Sequence, residues 1–161
     1  MNINEYNRCV DEHADGLYRF LLKSIRDKEV ARDLVQESFM KLWQKHKEVE
    51  YPKSKSYLFT TGYHTMIDHI RKNSRNVSFD TVEYSEQSYE TGYSDLKEIL
   101  NEAIEQLPVD QKSVVLLRDY EGYSYKEIAD ITNLSEAQVK VYIYRARLFL
   151  KKYIVNPDLV I

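Results

Sequence analysis

Residues 122–153 read GYSYKEIADITNLSEAQVKVYIYRARLFLKKY, and this stretch decides the fold of the C-terminal half of the 161-residue chain. Ser124 followed by Glu127 forms a capping box that predicts the start of one helix, and Ser135 supplies the N-cap of the next. Asn133 lies between them and tolerates the left-handed conformation that ends a helix. The spacing therefore predicts a helix-turn-helix. The buried face of its second helix is predicted to consist of Val139, Ile143, Ala146 and Leu150.

The outward face of this second helix combines basic and apolar side chains. Residues 135–153 carry five basic side chains and one acidic one, and basic or amide side chains on a helix grip phosphates or read base edges in the major groove. An ordinary solvated face is the alternative, but Val141 and Leu148 lie where a solvated helix would favour charge. We therefore favour a DNA-reading helix. Its candidate contact residues are Ser135, Gln138, Lys140, Val141, Tyr144, Arg145 and Arg147.

Helical periodicity also dominates the N-terminal half. It predicts one helix from about Asn4 to Ile25 and a second from Glu29 to His46. Opposite the apolar face of the second helix lies a stripe of polar side chains with one methionine, and we expect Trp43 beside it to be half-exposed. A methionine there is a soft anchor suited to a partner helix. The stripe consists of Asp33, Gln36, Glu37, Met40 and Gln44.

The segment 53–75 interleaves aromatic and basic side chains and is predicted to be mostly helical. Single-stranded nucleic acid binds to aromatic stacking platforms beside cations. Tyr57 and Phe59 are spaced as core residues of the helix, so we expect them to be buried. The candidate contacts to a single strand are Lys53, Lys55, Tyr63, His64, Arg71, Lys72 and Arg75.

The charge of the chain is unevenly distributed. The net charge of −3 and the pI near 5.8 argue, as averages, against a DNA-binding protein. Residues 53–76 and 135–153 nevertheless carry +4 each, whereas residues 77–110 carry −8. These two basic segments are the ones that carry DNA-binding patterns. The net charge of the whole chain therefore conceals two basic patches. Repulsion from the acidic segment predicts that the free protein binds DNA poorly.

Other features exclude whole classes of protein. The single cysteine, Cys9, cannot form an intramolecular disulfide and is expected to be a small apolar filler. The four histidines do not cluster with it at metal-ligand spacing, and neither a phosphate-binding glycine loop nor an activated nucleophile occurs. Residues 1–15 lack the apolar core of a signal peptide, and no run is long and apolar enough to cross a bilayer. We expect a cytoplasmic protein without enzyme activity, metal or cofactor.

The fold is predicted to be all-α, with two small helical domains. Residues 76–95 show no sustained pattern and are rich in Ser, Thr, Glu and Tyr, which predicts an acidic flexible linker. The linker separates a domain at 1–75 from a helix-turn-helix domain at 96–155, and a short tail follows at 156–161. Two further helices are predicted ahead of the helix-turn-helix, at 96–107 and 111–119.

Three segments together resemble the extracytoplasmic-function sigma factors, the smallest class of the bacterial sigma-70 family. They match in order and spacing and cover nearly the whole chain. The segments are ARDLVQESFMKLWQ (31–44), SYLFTTGYHTMIDHIRK (56–72) and LPVDQKSVVLLRDYEGYSYKEIADITNLSEAQVKVYIYRARLFLKK (107–152).

The resemblance implies a role for each candidate surface. The polar stripe of the second helix would dock on the clamp helices of the largest subunit of core RNA polymerase. The segment 53–75 would help to open and read the −10 promoter element. The helix-turn-helix would read the −35 element, and its domain would dock on the flap of the second-largest subunit. An anti-sigma factor, often membrane-anchored in this family, would hold the protein inactive at the inner membrane, and no small-molecule ligand is expected.

Two departures from the family pattern concern promoter sequence. The family usually has Arg-Asn where this chain has Tyr63 and His64, and many relatives have Ser or Arg where it has Val141 and Tyr142. The base preferences at −10 and −35 therefore do not transfer from the family.

The acidic linker has an implied role as well. In the family it threads the polymerase channel that RNA later occupies, so its carboxylates would imitate a nucleic-acid backbone against a basic channel wall. These carboxylates belong to Asp80, Glu83, Glu86 and Glu90.

Two other functions fit parts of the sequence. A dimeric one-component transcription factor would use only the helix-turn-helix and would bind palindromic operators without polymerase. A protein-interaction module would dock acidic partners on the basic helices. Neither function needs the polar stripe on the second helix, so that stripe favours a sigma factor.

Overall fold

The computed structural model of the protein describes residues 1–76 and 95–155, which form seven α-helices. The predicted linker, but for its first and last residues, and the tail at 156–161 lie outside the described residues. The first half contains α1 (Ile3–Ile25), α2 (Lys28–Gln44) and α3 (Ser54–Asn76), with a 3₁₀ turn at Tyr51–Lys53. The second half contains α4 (Asp95–Gln106), α5 (Val109–Val115), α6 (Tyr125–Thr132) and α7 (Glu136–Val155). A π-helical turn at Leu116–Tyr120 joins α5 to α6.

The all-α prediction is confirmed, since no strand occurs in these two ranges. Within the same residues, no helix combines the length and apolar character needed to cross a membrane.

The capping signals form as the sequence predicts. The Ser124 hydroxyl accepts from the backbone N–H of Glu127, whose carboxylate accepts from the backbone N–H of Ser124. Asn133 has φ 63° and ends α6 in the left-handed conformation. Ser135 caps α7, with its hydroxyl 3.1 Å from the backbone nitrogen of Gln138. Two caps thus fix the short turn between α6 and α7.

The second helix ends two residues before its predicted end at His46, and both bounds of α5 differ from the predicted ones. The helix expected at 111–119 begins at Val109, directly after Pro108, because the fixed φ of proline suits a helix start. Its last turn widens, with the N–H of Glu121 donating to the carbonyl of Leu116, five residues earlier. The spacing of apolar residues at about 3.6 per turn predicts an ordinary α-helix, so it does not reveal a π turn.

The N-terminal core lies where α1, α2 and α3 meet. Gly62 of α3 sits against Leu17 of α1, and a Cβ at position 62 would lie 2.8 Å from the Leu17 Cδ1 atom. Glycine therefore allows these two helices to approach closely. Cys9 is fully buried in α1, as its assignment as an apolar filler predicted. The largest fully buried side chains here are Phe20, Phe59, Leu17, Leu21, Leu42, Leu58 and Met66.

The C-terminal core forms where α7 packs against α4, α5 and α6. The predicted inner face of α7, namely Val139, Ile143, Ala146 and Leu150, is buried. The two halves also pack on each other, with α3 against α6 and α1 against α5. As a result, the buried apolar side chains of both halves belong to one continuous core.

Candidate protein-docking and nucleic-acid surfaces

The polar stripe of α2 forms an open surface on a firmly anchored helix. Met40 is 62% exposed and Trp43 is 42% exposed, which gives the stripe an apolar centre. The half-exposure predicted for Trp43 is thereby confirmed. All five predicted stripe residues are exposed: Asp33, Gln36, Glu37, Met40 and Gln44.

Contacts to neighbouring elements keep this surface rigid. The Trp43 ring stacks on His46 at 4.0 Å between centroids and meets the edge of Tyr6 at 4.9 Å. Lys41 pairs with Glu37 at 3.3 Å and donates to the Thr65 hydroxyl of α3 at 3.1 Å. An apolar centre flanked by carboxylates suits a partner helix that carries apolar and basic side chains. Trp43 belongs with this surface, although the stripe predicted from the sequence did not include it.

The candidate nucleic-acid residues of the first half do not form one surface. Lys55, Phe59 and Tyr63 follow one face of α3 at intervals of four residues, and that face turns toward the C-terminal half. His64 and Arg71 lie on roughly the opposite face, seven residues apart. Lys53, Lys55, His64, Arg71 and Lys72 are exposed, and Arg75 lies in the last turn of α3.

Tyr63 is not an open stacking platform in this structure, contrary to the expectation from the sequence. Its side chain is 5% exposed. Burial raises the pKa of the Tyr63 phenol to about 12, and the Asp110 carboxylate of the other half contributes to that rise. The sequence pattern did not reveal this burial, because Tyr63 lies on the face of α3 that the other half covers.

The open face of α3 keeps an aromatic side chain and cations. The Tyr63 ring supports the exposed His64 ring at 5.2 Å in an edge-to-face contact. Arg71 lies about 10 Å further along the same face, two turns of helix away. This arrangement offers a strand one ring and, beyond the exposed carboxylate of Asp68, the positive charges of Arg71 and Lys72.

The outward face of α7 is exposed. Some of its predicted contact residues are available to a ligand, whereas others bond to neighbouring residues. Tyr144 is 68% exposed, and Val141 and Arg145 lie beside it on one face. Ser135 and Gln138 are exposed but bind each other reciprocally, with the N–H of Ser135 donating to the Gln138 side-chain oxygen at 2.9 Å. These two residues therefore order the first turn of α7.

The basic side chains of α7 also differ in whether they have an ion-pair partner. Arg147 donates through two nitrogens to the Asp119 carboxylate, with Nε 3.1 Å from Oδ2, and this pairing raises the pKa of Arg147. Lys140 lies 4.0 Å from Glu136. Arg145, by contrast, has no ion-pair partner within the part of the chain that the structure describes. Val141, Tyr144 and Arg145 are thus the side chains most available to a ligand.

Metal-binding clusters are absent from residues 1–76 and 95–155, where no three His, Cys, Asp or Glu side chains group suitably.

Comparison with known proteins matches both halves. The family model for sigma-70 region 2 matches residues 9–76, and the one for sigma-70 region 4 matches residues 97–150. The RNA polymerase sigma factor SigV of Bacillus subtilis is 30% identical over 154 residues, covering 94% of this chain and 92% of SigV. The ECF RNA polymerase sigma factor SigL of Mycobacterium tuberculosis is 32% identical over 144 residues, covering 84% of this chain and 81% of SigL.

Among solved structures, the chain is similar to the sigma factor RpoE of Bartonella quintana in complex with the anti-sigma factor NepR. The TM-score is 0.79 and the identity 25%, over 96% of this chain and 99% of RpoE. The fold is also that of CnrH in complex with the cytosolic domain of CnrY, with a TM-score of 0.69 and 19% identity over 95% of this chain and 89% of CnrH.

Proposed function

The chain belongs to the sigma-70 family as an extracytoplasmic-function sigma factor, and from this premise we propose how its surfaces divide the work of promoter recognition. Members of the family bind core RNA polymerase and promoter DNA and are not enzymes. We assign residues 1–75 to polymerase docking and the −10 element and residues 96–155 to the −35 element, with 76–95 as the linker. The extents of the two family matches support these bounds.

The polar stripe of α2 docks core polymerase on the clamp helices of its largest subunit. The observation that carries this assignment is the exposed apolar centre at Met40 and Trp43, flanked by carboxylates on a helix whose C-terminal end contacts both α1 and α3. A solvated helix face has no need of such a centre. In the same complex, the second half docks on the flap of the second-largest subunit.

The −10 element is read mainly from the open face of α3. His64 stacks on a base, while Arg71 and Lys72 hold the phosphates of the same strand. Arg75, in the last turn of α3, belongs to the same basic segment. Lys53 and Lys55, at the other end of α3, attract the strand at longer range.

The −35 element is read by the exposed face of α7. Val141 and Tyr144 contact thymine methyl groups or sugars, and Arg145 bonds a base edge or phosphate. Ser135, Gln138 and Lys140 support the first turn at the groove. Arg147 acts through Asp119 by holding α7 against the preceding segment.

The protein works in the cytoplasm, where polymerase and DNA are, and is held inactive by an anti-sigma factor. The similarity to RpoE in its complex with NepR supports this partner. A membrane-anchored anti-sigma factor would keep the protein at the inner membrane until release.

The docking assignment is tested by replacing Asp33, Gln36 and Glu37 with alanine together. We expect core polymerase binding to weaken at least about tenfold, as when a central charged patch of an interface is lost. The matched control replaces the exposed carboxylates Asp11 and Asp15 of α1 with alanine and should leave affinity unchanged. Unaltered binding by the triple variant, with its helical circular dichroism intact, would show that polymerase docks elsewhere.

A further inference from the structure

One aromatic ring, that of Tyr125, lies where three elements of the second half meet. Tyr125 is the first residue of α6 and directly follows the Ser124 N-cap, so the capping box fixes its backbone. A basic side chain of the π-helical turn at Leu116–Tyr120 and another of α7 approach the ring. Tyr125 is half-buried and is not among the candidate DNA contacts. Its ring is thus a junction inside the helix-turn-helix.

Arg118 holds the ring from the side of the π turn. Its Nη1 atom donates to the carbonyl oxygen of Tyr123 at 2.9 Å, and its guanidinium carbon lies 4.5 Å from the centre of the Tyr125 ring. A guanidinium at this distance is attracted to the electron-rich face of an aromatic ring. Because a hydrogen bond fixes the guanidinium itself, the contact also restricts the rotation of the ring. Tyr125 therefore has a defined side-chain orientation.

Lys140 of α7 meets the same ring from the second helix of the helix-turn-helix. Its ammonium lies 5.7 Å from the ring centre and 4.0 Å from the Glu136 carboxylate. An exposed ion pair one helical turn apart restrains a lysine only weakly, and the ring supplies a second restraint. The Lys140 side chain nevertheless remains 58% exposed. Its ammonium is thus confined beside Tyr125 without being withdrawn from solvent.

This place lies along one edge of the outward face of α7. Successive helix residues are about 100° apart, so Lys140 lies only about 40° around the helix from Tyr144. Arg147 follows seven residues after Lys140 and shares this edge, but its guanidinium is held by the Asp119 carboxylate. Lys140, in contrast, can turn its ammonium toward a DNA phosphate at the border of the major groove.

We propose that Tyr125 is a positioning residue for −35 recognition, which holds the Lys140 ammonium in place for a phosphate of the DNA backbone. A free lysine side chain samples many rotamers and loses that freedom when it binds. A lysine that is confined beforehand loses less, so its phosphate contact is stronger although no contact is added. Tyr125 itself needs no contact with DNA. This inference rests on the proposed function, since it concerns the same reading helix.

The test compares Tyr125→Leu, which removes the ring, with Tyr125→Phe, which keeps it. Binding of the full chain to a mixed-sequence DNA duplex is titrated at several salt concentrations. Tyr125→Leu should bind about twofold to fivefold more weakly than wild type, the factor expected for a cation–π contact at an exposed site. Its slope of log affinity against log salt should equal the wild-type slope, because the lysine still reaches the phosphate. Tyr125→Phe should bind as the wild type does.

Lys140→Ala separates positioning from contact. Loss of the ammonium itself should reduce the salt slope by about 0.9, the value for one phosphate contact. Because Tyr125 acts through Lys140, adding Tyr125→Leu to Lys140→Ala should cost no further affinity. Tyr18→Leu is the matched control, since it makes the same change at a half-buried tyrosine of α1, and it should leave DNA affinity unchanged. Circular dichroism checks that each variant keeps its helical fold.

The outcomes distinguish this inference from the proposed function. A Tyr125→Leu variant that binds as tightly as wild type would overturn the positioning role, as would the same loss of affinity in the presence and absence of Lys140. Weak binding by Tyr125→Phe would also overturn it, because that variant keeps the ring. Wild-type binding by Lys140→Ala would do the same while Arg145→Ala still weakens binding. If Arg145→Ala also binds as wild type does, the result contradicts the proposed function of α7.

Discussion

Two arginines of α7, two residues apart, make different contacts because they lie on different faces of the helix. Arg145 faces outward beside Tyr144, whereas Arg147 turns back to the Asp119 carboxylate. From composition alone, Arg145 and Arg147 contribute equally to a basic patch. Only the position of Asp119, in the π turn 28 residues before Arg147, separates the cation that we assign to DNA from one that holds the helix in place.

This division predicts different effects of Arg145→Ala and Arg147→Ala. Arg145→Ala should lower the affinity for a mixed-sequence DNA duplex and reduce the slope of log affinity against log salt by about 0.9, the value for one phosphate contact. Arg147→Ala should instead lower the free energy of unfolding by about 1 kcal/mol, since a surface pair with two-point geometry is at the upper end of its class.

Full-chain binding titrations at several salt concentrations and urea unfolding give the two readouts. Asp119→Ala should reproduce the stability loss, and the double variant Asp119→Ala, Arg147→Ala should lose less than the sum. Identical salt slopes for Arg145→Ala and wild type would contradict the DNA-contact assignment.

At the level of elements, the contact between α1 and α3 depends on the absence of one side chain. Gly62→Ala would gain about 1 kcal/mol from helix propensity but would place a methyl group 2.8 Å from Leu17, which is fully buried. Overpacking a core costs about 1 to 3 kcal/mol. We expect a net loss of roughly 1 kcal/mol, measured as a lower urea midpoint without a change in slope.

Gly16→Ala of α1 is the matched control. Its added Cβ would have its nearest neighbours at ordinary contact distance, with Glu121 Oε2 at 3.4 Å and Arg19 Nη2 at 3.5 Å. The propensity gain should therefore prevail, and stability should rise or stay level. A Gly62→Ala variant as stable as Gly16→Ala would show that α1 and α3 are free to move apart.

Elements were largely predictable, because their signals are local. The capping box at Ser124, the left-handed Asn133 and the inner face of α7 each follow from residues within about three turns of one another. The π turn was not predictable, since it breaks the period on which helix prediction depends. The burial of Tyr63 was not predictable from local sequence either, because the groups that cover it come from the other half of the chain.

For the whole molecule, sequence and structure give complementary reasons to expect that the free protein binds DNA weakly. The sequence separates two segments of +4 from an intervening one of −8. The structure adds a packed interface whose links, such as Arg19–Glu121, join residues far apart in the chain. Composition and family resemblance identified the two halves and predicted their binding surfaces. Their mutual packing carries no local sequence signature and required coordinates.

The most direct test of the central claim is run-off transcription with purified core RNA polymerase on promoter fragments from the source genome, with and without this protein. We predict transcripts that appear only when the protein is present and that are lost with the triple alanine variant at Asp33, Gln36 and Glu37. The Asp11, Asp15 double alanine variant should retain them. The absence of protein-dependent transcripts from every fragment would contradict the account.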